Sequence, residues 1–188
     1  MKVTEDDLKT IMPNIGQKLS EFIQPLNDAM AEFEINTYPR IAMFLAQLAH
    51  ESGEFRYMEE LANGSAYDHR ADLGNTDENA IRIASLHGST PGRWWKGHGP
   101  IQITGYTNHM VCGNVLGLDL LNNPLLLTQP KDGCRSAAWF WKSRELNEMA
   151  DHDTEEAFKT ATRRINGGLT HYEERKEFWI RAQEALGA

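Results

Sequence analysis

A mainly α fold, with a large helical lobe and a smaller irregular lobe flanking a groove, is what this 188-residue sequence predicts. Three observations predict it. Apolar residues recur at helical spacing from Thr4 to Leu48 and again from Cys134 to Leu186. Residues 54 to 100 are polar, glycine-bearing and weakly periodic. One short stretch, GPIQITGY at 99 to 106, carries the β-branched alternation of a brief strand.

The elements follow in order. Thr4 ahead of Glu5, Asp6 and Asp7 opens a first helix, with Leu8 and Ile11 inward and MPN at 12 to 14 as its stop. Leu19, Phe22, Ile23 and Leu26 mark a second helix that runs through Pro25. Pro39 suits the first turn of a third, whose stripe is Ile41, Phe44, Leu45 and Leu48 and whose end is Ser52-Gly53. In the polar middle only ENAIRIASL is periodic. GSTPGRWWKGHGP, with four glycines and two prolines, reads as a loop or short hairpin. Helical spacing returns at Cys134, Ala137, Ala138 and Trp141. Asp153 and Glu156 have capping-box spacing ahead of Phe158, Ala161 and Ile165. Asn166-Gly167-Gly168 ends that helix, and a last one runs from Tyr172 through Phe178, Trp179, Ala182 and Leu186. No repeat or linker divides the chain. The expectation is a single domain over 1–188, with 1–34 its helical N-terminal part and 54–100 the smaller lobe.

Composition narrows the partners. A net charge of −8 disfavours nucleic acid, whose nonspecific capture relies on lysine and arginine. It equally disfavours docking on an anionic membrane. No apolar run reaches the roughly 20 residues needed to cross a bilayer, so no stable membrane insertion is expected. The polar start MKVTEDDLKT lacks the apolar core of a signal peptide, which implies synthesis in the cytoplasm. Cys112 and Cys134 belong to no ligand cluster and read as small buried residues. His98 has no partners at ligand spacing, so neither a metal nor another cofactor is expected.

The stretch AHESGEFRYMEEL places Glu51 and Glu60 nine residues apart. Nine helical steps of about 100° make about 900°, half a turn off, so on one straight helix the two carboxylates would diverge. They can share a site only if the helix ends between them, and Gly53 is the breaker. Glu54 and Glu59 compete for the same role. From spacing alone, Glu51 is more simply the polar end of a surface helix, because glutamate is seldom buried.

Four ordered motifs go further: FLAQLAHESGEFRYMEELANGSA, GHGPIQITGYTNH, LLNNPLLLTQPKDGCRSAAWFW and RRINGGLTHYEER. Over about residues 35 to 180 the sequence resembles glycoside hydrolase family 19, the chitinase-like lysozymes, and its short phage endolysins more than its plant chitinases. The resemblance implies a lysozyme-like fold with a substrate groove between two lobes. It also implies inverting hydrolysis of β-1,4 links between amino sugars. Carried over by position, Glu51 matches the general acid, Glu60 the general base as placed in the endolysins, and Thr104 the hydroxyl that helps hold the attacking water. Gln102, Asn108 and Asn166 match sugar-contacting positions. His50 and Arg175 match groove-lining or charge-network positions. Two departures stand out. Gly97-His98-Gly99-Pro100 replaces the usual Gly-Arg-Gly-Pro, and Thr170 stands where chitinases often carry the glutamate that would pair with Arg175.

The residue types suit that chemistry. Inversion needs one carboxyl to protonate the leaving oxygen and another to activate water on the opposite face of the sugar. Arg175, Arg56 or Arg70 could supply a cation beside the base. Tyr57, Tyr106 and Trp95 are candidate groove aromatics, although at least one of Trp94 and Trp95 is expected in the core. Trp139, Trp141 and Trp179 read as packing. The partner implied is the glycan strand of bacterial peptidoglycan, cut by a monomeric endolysin. It would be made in the host cytoplasm and reach the periplasm and wall after membrane breach. The rivals are a chitinase, a lytic transglycosylase and a non-catalytic wall-binding module.

Overall fold

The computed structural model describes residues 1 to 187, which form ten α-helices and three short 3-10 turns. The first is α1, Glu5–Ile11, where the Thr4 hydroxyl accepts from the Asp7 N–H and the Asp7 carboxylate accepts from the Thr4 N–H. Next come α2, Lys18–Glu32, and α3, Tyr38–Ser52. Pro25 is tolerated inside α2 because Glu21, four residues before it, faces solvent and its carbonyl can meet water.

Helix α3 is the axis of the large lobe. Every residue from Ile41 to Ala49 is buried, not only the stripe expected from the sequence, because α10, α1 and α8 pack around it. A helix apolar on all sides is a core helix. Gln47 is its polar exception and is satisfied by Thr162 and Arg175.

The middle segment holds α4, Glu78–Leu86, and α5, Pro91–Trp94. The second was expected as loop or hairpin. Pro91 instead starts a single helical turn, for which its fixed φ is suited. The expected strand at 99 to 106 is reduced to isolated bridges, Glu59 with His98 and His98 with Ile103. It cannot extend, because Gly99, Gln102 and Gly105 take positive φ and turn the chain at each step.

Beyond it, α6, Tyr106–Leu116, had no signal in the sequence. Its buried positions are Tyr106, His109, Cys112, Gly113 and Leu116, while Val111 and Val115 are exposed, so apolarity does not mark one face. Then follow α7, Pro130–Ser143; α8, Leu146–Ala150; α9, Glu155–Asn166; and α10, Tyr172–Gly187. The expected cap of α9 moves by one residue. Thr154, not Asp153, accepts from the backbone N–H three residues on, that of Ala157.

One large apolar cluster joins α1 to α3 with α7 to α10. Two small ones complete the fold: Ile103, Cys112, Leu116, Leu120 and Leu127 in one, and Ala80, Ala84, Trp95 and Tyr106 in the other. The small clusters therefore reach past residue 100 into α6 and the segment after it. Both cysteines are buried and free, and burial pushes the Cys112 thiol up to about 12. Trp141 and Trp179 are core, as expected; Trp139 is only partly buried.

Candidate active site

Helix α3 ends where the site begins. Gly53 closes it in the left-handed region, with φ 56° and ψ 49°. Glu54 and Phe55 follow with φ 59° and 65°. The break expected at Gly53 is thus three residues long, and for non-glycine residues such backbone costs about 1–3 kcal/mol each. Packing holds it. The Phe55 ring stacks on Phe22 at 4.3 Å, and the Glu54 carboxylate accepts from the Asn14 N–H at 2.6 Å and from Asn14 Nδ2 at 3.1 Å. The chain then doubles back, and Glu51 and Glu60 line one open cleft of about 390 Å³ with Tyr57, Glu59 and Gln102.

The competing carboxylates separate by their partners. Glu54 is buried and committed to Asn14. Glu59 lines the cleft but pairs with Lys96 at 3.0 Å.

Glu51 meets a buried cation. Its Oε1 lies 2.6 Å from Arg175 Nη1, with side-chain exposures of 23% and 1%. The pair is close without hydrogen-bond alignment, since Glu51 Oε1 has no aligned donor. Arg175 Nη1 instead donates to Gln47 Oε1 at 2.8 Å, Gln47 Nε2 donates to the Thr162 hydroxyl at 2.8 Å, and that hydroxyl donates to the Phe158 carbonyl. Arg175 Nε reaches the Thr170 carbonyl at 3.3 Å. Thr170 therefore still serves Arg175, through its backbone. The cation anticipated beside the base sits on Glu51 instead, because α10 packs directly along α3.

The Glu60 carboxylate is held by neutral donors, while the Lys96 ammonium donates to the Glu60 backbone carbonyl at 3.0 Å. The Tyr67 hydroxyl donates to Oε1 at 2.9 Å and the Gly97 N–H donates to Oε2 at 2.9 Å. The Glu60 N–H in turn donates to the Gly97 carbonyl at 2.8 Å. Burial first, then the Glu60 carboxylate, pushes the Tyr67 phenol above its ordinary value of 10.0, so Tyr67 stays a donor at neutral pH. A Cβ at position 97 would lie 2.4 Å from Gln102 Oε1 and 3.3 Å from Glu60 Cβ, so a larger residue there would displace the end of the Gln102 side chain. Neither Tyr67 nor Gly97 was found by sequence reasoning. Tyr67 lies in a 3-10 turn without periodicity, and Gly97 acts through its backbone.

Gln102, with φ 59°, lies at a junction. It lines the carboxylate cleft and also an adjoining cavity of about 100 Å³ that contains Thr104, Asn108, Trp139 and Arg144. The Thr104 hydroxyl donates to the Gln102 carbonyl at 3.0 Å, and Asn108 Nδ2 donates to the Thr104 carbonyl at 2.8 Å. Thr104 is therefore next to the carboxylate cleft, not among its lining residues.

Other expected positions disperse. Trp95 is fully buried against Tyr106, itself buried, with ring centroids 5.1 Å apart; both are corrected from groove residues to packing of the smaller lobe. The Tyr106 N–H is used by Asn75 Oδ1. Tyr57 is 41% exposed and does line the cleft. Asn166 is exposed at the end of α9 and lines neither cavity. His50 is partly buried, in loose contact with Glu174 at 3.5 Å; desolvation, then Arg175, hold its pKa below the ordinary 6.5. His98, the departure from the usual arginine, is buried. Its Nδ1 lies 3.0 Å from His109 Nε2, while His109 Nδ1 lies 2.8 Å from the Gly105 carbonyl. That carbonyl requires the proton on His109 Nδ1, which makes His98 Nδ1 the donor between the rings.

The glycoside hydrolase family 19 model, described as class I chitinase, matches residues 29–164. An endochitinase of Arabidopsis thaliana is 37% identical over 129 residues, which are 68% of this chain and 39% of the relative. Endochitinase 1 of Theobroma cacao is 31% identical over 173 residues, 78% of this chain and 53% of the relative. The chain thus spans only part of the length of these curated relatives. Chitinase C from Streptomyces griseus HUT6037 superposes with a TM-score of 0.77 at 23% identity, covering 99% of this chain and 77% of that one. A bacterial family 19 chitinase gives 0.75 at 24%, covering 99% and 95%. Matched over most of its length by the family model and sharing the family's fold, the chain belongs to glycoside hydrolase family 19.

Proposed function

We propose that this chain hydrolyses β-1,4 bonds between N-acetylated amino sugars with inversion, and that its polymer is bacterial peptidoglycan, cut in an endolysin role once the membrane is breached. The observation that carries the chemistry is one open cleft lined by two carboxyls with unlike partners, Glu51 beside a buried cation and Glu60 between two neutral donors.

Glu51 delivers the proton to the leaving oxygen. Arg175 holds the buried Oε1, so Oε2 is the oxygen left to carry the proton to the sugar. Glu60 removes a proton from water on the opposite face. Tyr67 and Gly97 occupy one lone pair on each of its oxygens and set its orientation, and a second pair on each stays open. The Thr104 hydroxyl, beside the cleft, already donates its hydrogen bond to the Gln102 carbonyl, so a water reaching it from the cleft would meet it as an acceptor. No cofactor enters this scheme.

Chitin is a second reading, favoured by the names of the curated relatives, which are endochitinases. Parallel digestion of purified peptidoglycan and colloidal chitin separates the two. Release of soluble fragments from the wall polymer is expected; activity confined to chitin would overturn the substrate. The anomeric form of the fresh product, followed by NMR, tests the mechanism, with the α-anomer expected. Products ending in 1,6-anhydro sugars, without label from heavy water, would mean a lytic transglycosylase.

A further inference from the structure

A second cavity of about 390 Å³ adjoins the carboxylate cleft at Tyr57, whose ring lines both. It is bounded by Asn14, Gly53, Glu54, Arg56, Tyr57 and Glu174. Its existence follows from the left-handed turn after α3. A Cβ at Gly53 would come within 2.9 Å of the Tyr57 ring, so the glycine lets that ring lie against the backbone.

The wall is polar and of both signs. Glu54 is occupied with Asn14 and acts as structure. Arg56 is exposed, and its contact is a distant one over the Tyr57 ring, 6.0 Å from guanidinium to centroid. Glu174 is 56% exposed on its side chain and has only the loose 3.5 Å approach of His50. One cavity beside the cleft therefore offers a guanidinium and a carboxylate, neither satisfied by a close partner of opposite charge. Its volume lies in the roughly 300–1,000 Å³ range of small-ligand sites.

We propose that this cavity is a subsite for the peptide stem of a peptidoglycan strand, with Arg56 meeting a stem carboxylate and Glu174 a stem ammonium. The assignment rests on the peptidoglycan reading above and deepens it. A chitin strand carries only hydroxyl and acetamido groups and gives these two charges nothing to pair with. A stem peptide branching from the glycan carries both signs within a few bonds. Charge complementarity of this kind supplies discrimination more than raw affinity. Tyr57 sits where the branch would leave the glycan path, lining the cleft on one side and the subsite on the other.

The test compares two forms of one polymer: intact peptidoglycan strands, and the same strands stripped of stems by an amidase. The readout is the ratio of kcat/KM on the two forms. Arg56→Gln and Glu174→Gln should each lower that ratio about threefold to fivefold, the size expected for a solvent-accessible charge pair. Arg56→Glu should lower it further. Both residues are at the surface, and a thermal melt checks that each variant folds. If the wild type cleaves both wall substrates and neither glutamine variant moves the ratio, the subsite is overturned while the peptidoglycan reading stands. If the wild type cleaves chitin and neither wall substrate, that reading falls and the subsite with it.

Discussion

Arg175 is buried against Glu51, its Nη1 2.6 Å from the carboxylate, and the same nitrogen donates to Gln47 in the centre of α3. A carboxyl at the open end of a helix is thereby tied to the core of the large lobe. The chain of contacts runs from Glu51 through Arg175 and Gln47 to Thr162 on α9, so three helices share one polar thread.

Removing the arginine should therefore damage stability and turnover together. Arg175→Met leaves Glu51 without its cation and Gln47 Oε1 without its donor. Breaking a fully buried pair costs about 3–5 kcal/mol. Glu51 is 23% exposed and partly rehydrated, so about 2 kcal/mol is expected in urea unfolding. Arg175→Lys keeps the charge but not the fork that reaches Gln47 and the Thr170 carbonyl at once, and should recover only part of the loss.

The two carboxylates are expected to act as a unit. Glu51→Gln and Glu60→Gln should each lower kcat by about 10² to 10⁴ with the fold intact, the span attributed to general acid or base catalysis. The double variant should be scarcely worse than either single one, because a residual acid without its base does little. Strictly additive losses, measured on soluble glycan fragments, would deny that the two share one step.

Much of this was legible in the sequence, and the gaps have physical causes. The ends of α1, α3 and α9 were readable because Thr4, Gly53 and Gly167 perform local jobs, capping or positive φ, that depend little on the rest of the fold. Helix α6 was hidden because its buried face includes His109 and Gly113 while valines point outward. The spacing of Glu51 and Glu60 showed that the helix must break between them. It could not show that Glu54 and Phe55 also enter the left-handed region, since their compensation comes from Asn14 and Phe22, distant in sequence. Trp95 was misplaced because a Gly/Pro-flanked tryptophan looks the same whether it faces a sugar or, as here, Tyr106.

Tyr67 gives a sharper test of how Glu60 is held. Tyr67→Phe removes one donor to a carboxylate oxygen and leaves the ring. Loss of a hydrogen bond to a charged group, about 1.5 kcal/mol at the lower end, corresponds to about a tenfold fall in kcat. KM should be nearly unchanged, since Tyr67 is not among the residues lining the cleft. A rise in KM at constant kcat would assign Tyr67 to sugar binding instead.

Glu54 should behave in the opposite sense to its neighbours. Its carboxylate accepts two hydrogen bonds from Asn14 at a strained, buried position. Glu54→Gln replaces a charged acceptor by a neutral one facing the same N–H, and should destabilise the fold by about 1.5–3 kcal/mol. Turnover of the folded fraction at low temperature should stay within about threefold of wild type, because a shift of the neighbouring backbone by a few tenths of an ångström is the most it transmits. A loss as large as that of Glu51→Gln would make Glu54 a catalytic carboxyl.

The last prediction concerns the buried imidazoles. Burial first, then Lys96, pushes His98 from 6.5 down to about 4. Burial first, then His98, pushes His109 down to about 3. In the unfolded chain both return to about 6.5, so between that value and the folded ones the unfolded state holds more protons. Their neutral pairing therefore contributes fully above pH 6.5, and the contribution is lost as pH falls toward 4 and then 3. Carboxylates such as Asp151, Asp72 and Glu32 are also depressed, but their loss begins only near their unfolded values of 3.8 to 4.5. The interval from pH 6.5 to 5 thus isolates the histidines, with His50 adding in the same direction. Unfolding free energy from urea titrations should fall across it with a slope approaching about 1.4 kcal/mol per pH unit for each buried imidazole. In a His98→Gln, His109→Gln double variant the protein will be less stable at pH 7, but the slope should shrink toward that of His50 alone. An undiminished slope would mean that other groups carry the acid sensitivity and that the buried pair already titrates near its ordinary value.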